Sequence, residues 1–174
     1  SLHDALPISS INLTKGAVYW YFRNKPDILK ALIVEDFEKT RSELESFMPS
    51  PQTLEDLKRH FMFLSRRVDT DENFRKFLYF LMMQMEWSTG LINSFHDLIE
   101  ELRRRPAETI ENALLSAQKS GKIISSLDVK KAAYTIQSMW YGLLLNSLQK
   151  ATSLQEAVDY GFDFIINALT SRKD

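Results

Sequence analysis

The spacing of hydrophobic residues predicts a long helix over Lys25–Met48. Leucine, isoleucine and phenylalanine recur there three or four residues apart, and charged residues such as Glu35 and Lys39 occupy the intervening positions. This spacing places the apolar side chains on one face of an α-helix. Pro49 and Pro51 follow and are expected to end the helix, because proline cannot donate the backbone hydrogen bond that continues it.

The same spacing continues along the chain and predicts a helical body. The chain has only 5 glycines and 5 prolines, and few runs alternate in the way that β-strands require. The predicted body helices are Thr53–Val68, with Thr53 as its cap, Asn73–Trp87, Leu91–Ser120, 128–149 and 153–170.

Two of these helices carry more specific expectations. Asn73–Trp87 is apolar nearly all round, which predicts the central buried helix of the body. A turn is expected at Ser88-Thr89-Gly90, and Pro106 is expected to kink or break the helix that follows. Gly121 is predicted to end that helix, since glycine readily adopts the left-handed conformation of a helix C-terminus.

Composition narrows the class of protein. The chain has 174 residues, 44% of them hydrophobic, so it can bury one sizeable core or combine a small head with a larger body. No apolar run approaches the length of a membrane span. Cysteine is absent, which fits a reducing cytosol and excludes disulfides and thiolate metal sites in this sequence. The net charge of -1 is uninformative, but basic residues gather near the start of the chain.

The stretch Thr14–Asp27 combines those basic residues with aromatic ones. Thr14 can cap a short helix, and three consecutive aromatic residues follow at 19–21, so at least one must point outward. Asn24 can cap the next helix, which places Lys25 at a helix N-terminus, where backbone N–H groups favour an anion. The pattern suits contact with a phosphate backbone.

The residues 13–22, Leu-Thr-Lys-Gly-Ala-Val-Tyr-Trp-Tyr-Phe, and 24–29, Asn-Lys-Pro-Asp-Ile-Leu, resemble the end of the DNA-binding head of TetR-family transcriptional regulators. More loosely, 118–123 and 139–144 resemble the multidrug-efflux repressors of that family. The resemblance implies an all-α fold, in which an incomplete helix-turn-helix DNA-binding head is joined by a long helix to a helical ligand-binding and dimerisation body. It also implies a bacterial, cytoplasmic regulator, most simply a repressor that a hydrophobic small molecule releases from its operator.

The resemblance divides the chain into three parts. Residues 11–26 would be a remnant of the DNA-binding domain, and 27–174 the ligand-binding and dimerisation domain. Residues 1–10 do not fit the family, because Pro7 falls where a helix of the head belongs. We interpret them as foreign or vestigial sequence joined to a truncated regulator; the alternative is an unusual but genuine N-terminus. The rival function is a ligand-binding and dimerisation module that has lost DNA binding through that truncation.

The resemblance also assigns DNA contacts in the recognition helix and just after it. Lys15, Ala17 and Tyr21 are candidates for base edges in the major groove. The other candidates would meet phosphates or allow close approach of the backbone, although Tyr19 and Trp20 could instead be half-buried structural aromatics. The full predicted set is Thr14, Lys15, Gly16, Ala17, Tyr19, Trp20, Tyr21 and Lys25.

Aromatic residues and methionine in the body are candidates for a ligand cavity, because they adapt to many apolar shapes. The alternative is that each is ordinary core. The predicted lining residues are Phe61, Phe80, Met83, Trp87, Phe95, Ile99 and Trp140. Polar residues near this set could orient a ligand or simply face water, and they are Gln84, Glu86, Asn93, His96 and Gln137.

The last two predicted helices, 128–149 and 153–170, are amphipathic, and in this family such helices pair with their copies in a homodimer. The alternative is that they only close the core of one chain. No cofactor, metal site or enzymatic activity is predicted, because the three histidines lack metal-ligand spacing and no phosphate loop or nucleophile motif occurs. The run at 103–105, Arg-Arg-Arg, is interpreted as a solvated helix face.

Overall fold

The computed structural model describes residues 25–48, 50–84, 89–150 and 152–170. All regular structure in those ranges is helical, which confirms the all-α fold class. The helices are α1 (Lys25–Phe47), α2 (Leu54–Thr70), α3 (Glu72–Tyr79), a π-helical turn (Phe80–Gln84), α4 (Thr89–Lys119), α5 (Val129–Lys150) and α6 (Leu154–Thr170).

Helix α2 begins where its sequence signal predicts. The Thr53 hydroxyl accepts a hydrogen bond from the backbone N–H of Asp56, and the Asp56 carboxylate accepts one from the backbone N–H of Thr53. This reciprocal capping box satisfies two backbone donors that the first helical turn leaves free. Helix α1 likewise matches its prediction to within one residue at its C-terminal end.

The predicted helix Asn73–Trp87 is only partly correct. Helix α3 begins at Glu72, after an Asp71 cap, but changes at Phe80 into the π-helical turn that runs to Gln84. It is also not buried all round, because the side chains of Tyr79, Met82 and Met83 are each more than one third exposed. A run of apolar residues without a polar face shows which segments are hydrophobic, but it does not show which side the rest of the chain covers.

Helix α4 is longer at its start than predicted, and Pro106 does not divide it into two helices. It already includes Thr89 and Gly90, which were expected in a turn, and it continues through Pro106 without a break. Its end is as predicted: Gly121 has a φ of 68°, and Lys122 donates a backbone hydrogen bond to Ala117. That bond and the one from Gly121 to Gln118 form the helix-ending motif for which glycine is favoured.

The start of α6 is held by a residue from a distant part of the chain. Ser153 caps it locally, because its hydroxyl accepts from the backbone N–H of Glu156. In addition, the Asp69 carboxylate at the end of α2 accepts hydrogen bonds from the backbone N–H groups of Leu154 and Gln155, each at 2.9 Å. The two helices are therefore joined by polar contacts as well as by their apolar faces.

The described residues form two hydrophobic clusters. The larger cluster joins α2, α4, α5 and α6, and its most completely buried members include Leu57, Ile110, Leu114, Leu154 and Val158. The smaller one, here called the junction cluster, consists of buried Leu29, Ile33, Phe77, Leu81 and Phe95 with partly buried side chains around them. It connects α1 to α3, the π-helical turn and α4.

Candidate functional site

The predicted DNA contacts at residues 14–21 lie outside the described residues, as does the predicted head at 11–26 apart from its last two residues. Lys25 is the first residue of α1, as the sequence predicts, although its side chain is not among those described. Helix α1 continues from this point into the body, where Leu29 and Ile33 are 7% and 4% exposed. The same helix thus begins beside the predicted DNA contacts and packs into the core.

Three predicted ligand-binding residues lie together in or around the junction cluster. Phe95 is buried there, and Phe80 and Ile99 are partly buried against the cluster. The cluster also includes Leu29 and Ile33 of α1, the helix that follows the predicted DNA contacts along the chain. The π-helical turn supplies Phe80 and Leu81, and such turns are found frequently at functional sites.

Two other predicted residues belong to the larger cluster. The ring centroid of Phe61 lies 5.0 Å from that of Trp140 and 5.0 Å from that of Phe162. Phe61 is only 2% exposed, so in this structure its ring fills space in the core. The structure therefore divides the predicted lining between two clusters; Met83 is 38% exposed, and Trp87 lies outside the described residues.

The polar candidates are placed mainly on the surface. Asn93 and His96 are exposed, and His96 lies 3.3 Å from the carboxylate of its neighbour Asp97. Gln137 donates a hydrogen bond to the backbone carbonyl of Arg103. The Gln84 side chain and the whole of Glu86 lie outside the described part.

The sequence reasoning missed His60, a half-buried histidine of α2. The Nδ1 atom of His60 is buried and has no hydrogen-bond partner among the described residues. Burial lowers the pKa of His60 from 6.5 to about 4, so the ring is neutral at physiological pH. Its ring meets that of Phe61 edge-on, with centroids 5.5 Å apart. A single histidine beside an apolar stripe gives no sequence signal that distinguishes it from a surface residue.

A part-buried ion pair joins α1 to α2. The Arg67 guanidinium donates through Nη2 to Asp36 Oδ1 at 2.8 Å and through Nη1 to the Asp36 main-chain oxygen at 3.3 Å. It also lies 3.9 Å from the ring centroid of Phe74 in α3. Asp36 Oδ2 is buried and has no hydrogen-bond partner in the part of the chain that the structure describes, and burial raises the pKa of this carboxyl despite the arginine beside it.

An open groove of about 600 Å³ lies between α1 and α2, away from the predicted ligand residues. Its apolar part includes the stacked rings of Phe47 and Phe63, whose centroids are 5.0 Å apart. Its charged lining comprises Lys39, Arg59, Arg66, Arg67, Glu43 and Asp71. Arg59 and Arg67 are already paired with aspartates. The other two basic residues, Lys39 and Arg66, are matched in number by Glu43 and Asp71, so the groove favours neither an anionic nor a cationic ligand.

The last two helices expose aromatic rings. Tyr134 of α5 is 71% exposed, and Tyr160 and Phe164 of α6 are 77% and 68% exposed. Tyr160 and Phe164 are four residues apart, so they share one face of α6. Gly161, by contrast, faces the same chain: a Cβ atom there would lie 3.1 Å from the sulfur of Met139 in α5. Tyr160 and Phe164 therefore form an aromatic surface on α6 that the described residues leave exposed.

Two negative findings hold for the described residues. No group of three histidine, aspartate or glutamate side chains there is arranged to hold a metal ion. None of the helices in those ranges combines the length and hydrophobicity needed to cross a membrane.

The arginine run of α4 is a solvated face, since Arg103, Arg104 and Arg105 each pair with a glutamate of the same helix.

Comparisons with known proteins agree with this architecture. Residues 52–169 match the family model for the C-terminal region of MAATS-type transcriptional repressors. Among solved structures, the fatty acid degradation regulator FadR from Bacillus halodurans aligns with a TM-score of 0.70 at 17% identity. That alignment covers 91% of this chain and 80% of that one. No curated protein sequence matches the chain. Because the family model spans more than half of the chain, the chain belongs to the TetR-type repressors and is a ligand-responsive transcriptional regulator.

Proposed function

We propose that this protein is a homodimeric repressor that a hydrophobic small molecule releases from operator DNA. The effector would bind against the junction cluster, near Phe80, Phe95 and Ile99. The observation that supports this site is the packing of Leu29 and Ile33 of α1 directly against the side chains of that cluster. No other described apolar cluster includes α1.

The proposed mechanism is a shift between two populations of the dimer. In one population α1 holds the DNA-binding heads at the spacing of successive major grooves, and in the other it does not. An effector that inserts into the junction cluster must move the side chains of α3, the π-helical turn or α4 away from α1. It therefore binds better to the second population, and operator affinity falls by the difference in its binding free energy for the two.

We assign functions to the two parts of the chain as the sequence predicts. Residues 11–26 would contact DNA, and 27–174 would bind the effector and form the dimer. The dimer contact would be the surface of Tyr134, Tyr160 and Phe164, because large aromatic rings exposed together are typical of protein interfaces. As a regulator of transcription, the protein would act in the bacterial cytoplasm, where the DNA is.

The effector site is tested by thermal shift with a panel of hydrophobic compounds. Long-chain fatty acids belong in the panel because a protein of the same fold regulates fatty acid degradation. A compound at 100 times its Kd should stabilise the protein by about 2.7 kcal/mol. The variant Ile99→Ala, which removes a partly buried side chain of the junction cluster, should then reduce the shift.

The matched control is Ile166→Ala, which makes the same change at a partly buried position of the larger cluster. It should leave the compound-induced shift close to that of the parent protein. If no compound stabilises the parent, there is no support for an effector site. If Ile166→Ala reduces the shift and Ile99→Ala does not, the effector binds in the larger cluster and the junction proposal is wrong.

A further inference from the structure

The Asp36–Arg67 ion pair differs in kind from the other contacts between α1 and the body. The junction cluster is made of apolar side chains, and the contact between Phe47 and Phe63 is a stack of two rings. Apolar contacts of this type are non-directional and tolerate small sliding motions. A planar guanidinium that donates two hydrogen bonds fixes the position of its acceptor along the helix axis.

Arg67 is also in contact with the elements that form the proposed effector site. Its guanidinium packs over the ring of Phe74 in α3, and Phe74 itself packs against the junction cluster. Phe74 lies three residues before Phe77 of that cluster and six before the π-helical turn. A displacement of α3 can therefore reach Asp36 of α1 through the Arg67 side chain, which is 10% exposed, in addition to the apolar contacts of the junction cluster.

The hydrogen bonds of the pair are incomplete in this structure. Arg67 uses one donor on Asp36 Oδ1 and another on the main-chain oxygen, which leaves the buried Oδ2 without a partner. A guanidinium can instead bind both oxygens of one carboxylate with two parallel hydrogen bonds. A small rotation of α1 would produce that second arrangement, in which Oδ2 is satisfied and the main-chain oxygen is released.

We propose that Arg67 is a positioning residue with two hydrogen-bonding arrangements on Asp36, and that each arrangement fixes a different placement of α1 against the body. The Phe74 ring selects between them by moving with α3. The significance for regulation rests on the proposed function, because only there does the placement of α1 set the spacing of DNA-binding heads. The placement itself can be measured without DNA or effector, so the two proposals can fail separately.

The experiment measures the distance between α1 and the body with a pair of nitroxide spin labels. The sequence has no cysteine, so Ser42→Cys on α1 and Asn112→Cys on α4, both exposed, give a uniquely labelled chain. Excess unlabelled protein ensures that a dimer carries at most one labelled chain. Arg67→Lys keeps the positive charge but loses the paired N–H donors of the guanidinium. Asp36→Asn keeps the shape of the side chain but loses its negative charge.

Both variants should shift or broaden the distance distribution by about 2 Å or more, the size of helix shifts in known switches. The double variant should resemble Arg67→Lys alone, because the two residues act as one unit. The control Asp163→Asn, which weakens the ion pair of Lys58 between α2 and α6, should leave the distribution unchanged. A lower denaturation midpoint in both variants with the parent's distance distribution would show that the pair only stabilises the fold, and would overturn the proposal.

Discussion

Asp69→Ala should destabilise the chain more than the loss of any local helix cap. The Asp69 side chain is 15% exposed and accepts hydrogen bonds from the Ser153 hydroxyl at 3.0 Å and from the backbone N–H groups of Leu154 and Gln155. All three donors lie at the start of α6, whose Leu154 and Val158 are completely buried in the larger cluster. The substitution therefore acts on a helix that the core requires.

The size of the effect follows from the contacts that are removed. Loss of a capping side chain costs about 1 kcal/mol, and loss of a partly buried anion at a helix N-terminus costs up to about 2 kcal/mol. Two backbone N–H groups also lose their partner and are only partly rehydrated. We expect a total of about 2–4 kcal/mol for Asp69→Ala, and a smaller loss for Asp69→Asn, which retains one acceptor oxygen.

The measurement is urea denaturation at a fixed protein concentration, since dimer formation would make the midpoint depend on concentration. Ser153→Ala is the matched control, because it removes the local cap of the same helix and leaves Asp69 bound to the backbone N–H groups. It should cost about 1 kcal/mol. If Asp69→Ala costs no more than Ser153→Ala, the long-range cap does not contribute and the estimate is wrong.

Three further outcomes are expected. Tyr160→Lys should convert the dimer into a monomer in sedimentation velocity, because it places charge on the exposed aromatic surface; an unchanged dimer would place the interface elsewhere. His60→Leu should reduce the dependence of the free energy of unfolding on pH. The histidine of the unfolded chain takes up a proton below its pKa of 6.5, whereas the folded one does so only below about 4, so the free energy of unfolding of the parent falls by about 3 kcal/mol between pH 6.5 and pH 4. Equal pH dependence in the parent and the variant would refute this. In a chain that carries a complete DNA-binding head, Lys25→Ala should weaken binding to all DNA sequences alike and lower the salt slope by about one unit, and an unchanged salt slope would exclude a phosphate contact.

Comparison of prediction and structure shows what a local pattern can specify. The boundaries of α1, the cap of α2 at Thr53 and the end of α4 at Gly121 were predicted from residues close in sequence, and α2 ends two residues later than predicted. Each depends on backbone groups within one or two turns of the residue that controls them. The prediction of a continuous buried helix over Asn73–Trp87 was wrong because it required knowledge of which side the other helices cover.

The same distinction applies to the candidate site. Aromatic residues and methionine in the body were recognised as possible ligand contacts from residue type alone. Sequence could not show that Phe61 lies among core rings while Phe95 packs beside α1, because both are buried aromatics on apolar helix faces. His60 was missed for a related reason, since its burial depends on neighbouring helices and not on its own position in the chain.

The sequence by itself determined the helical class, most helix ends and the resemblance to TetR-type regulators, because periodicity, caps and short motifs are properties of adjacent residues. Tertiary structure alone decided that Asp69 caps α6, that Arg67 holds Asp36 of α1 against α2, and that the predicted ligand residues fall into two clusters. Asp69 and Leu154 are 85 residues apart, and Arg67 and Asp36 are 31 apart. Contacts over such separations arise only when the helices pack.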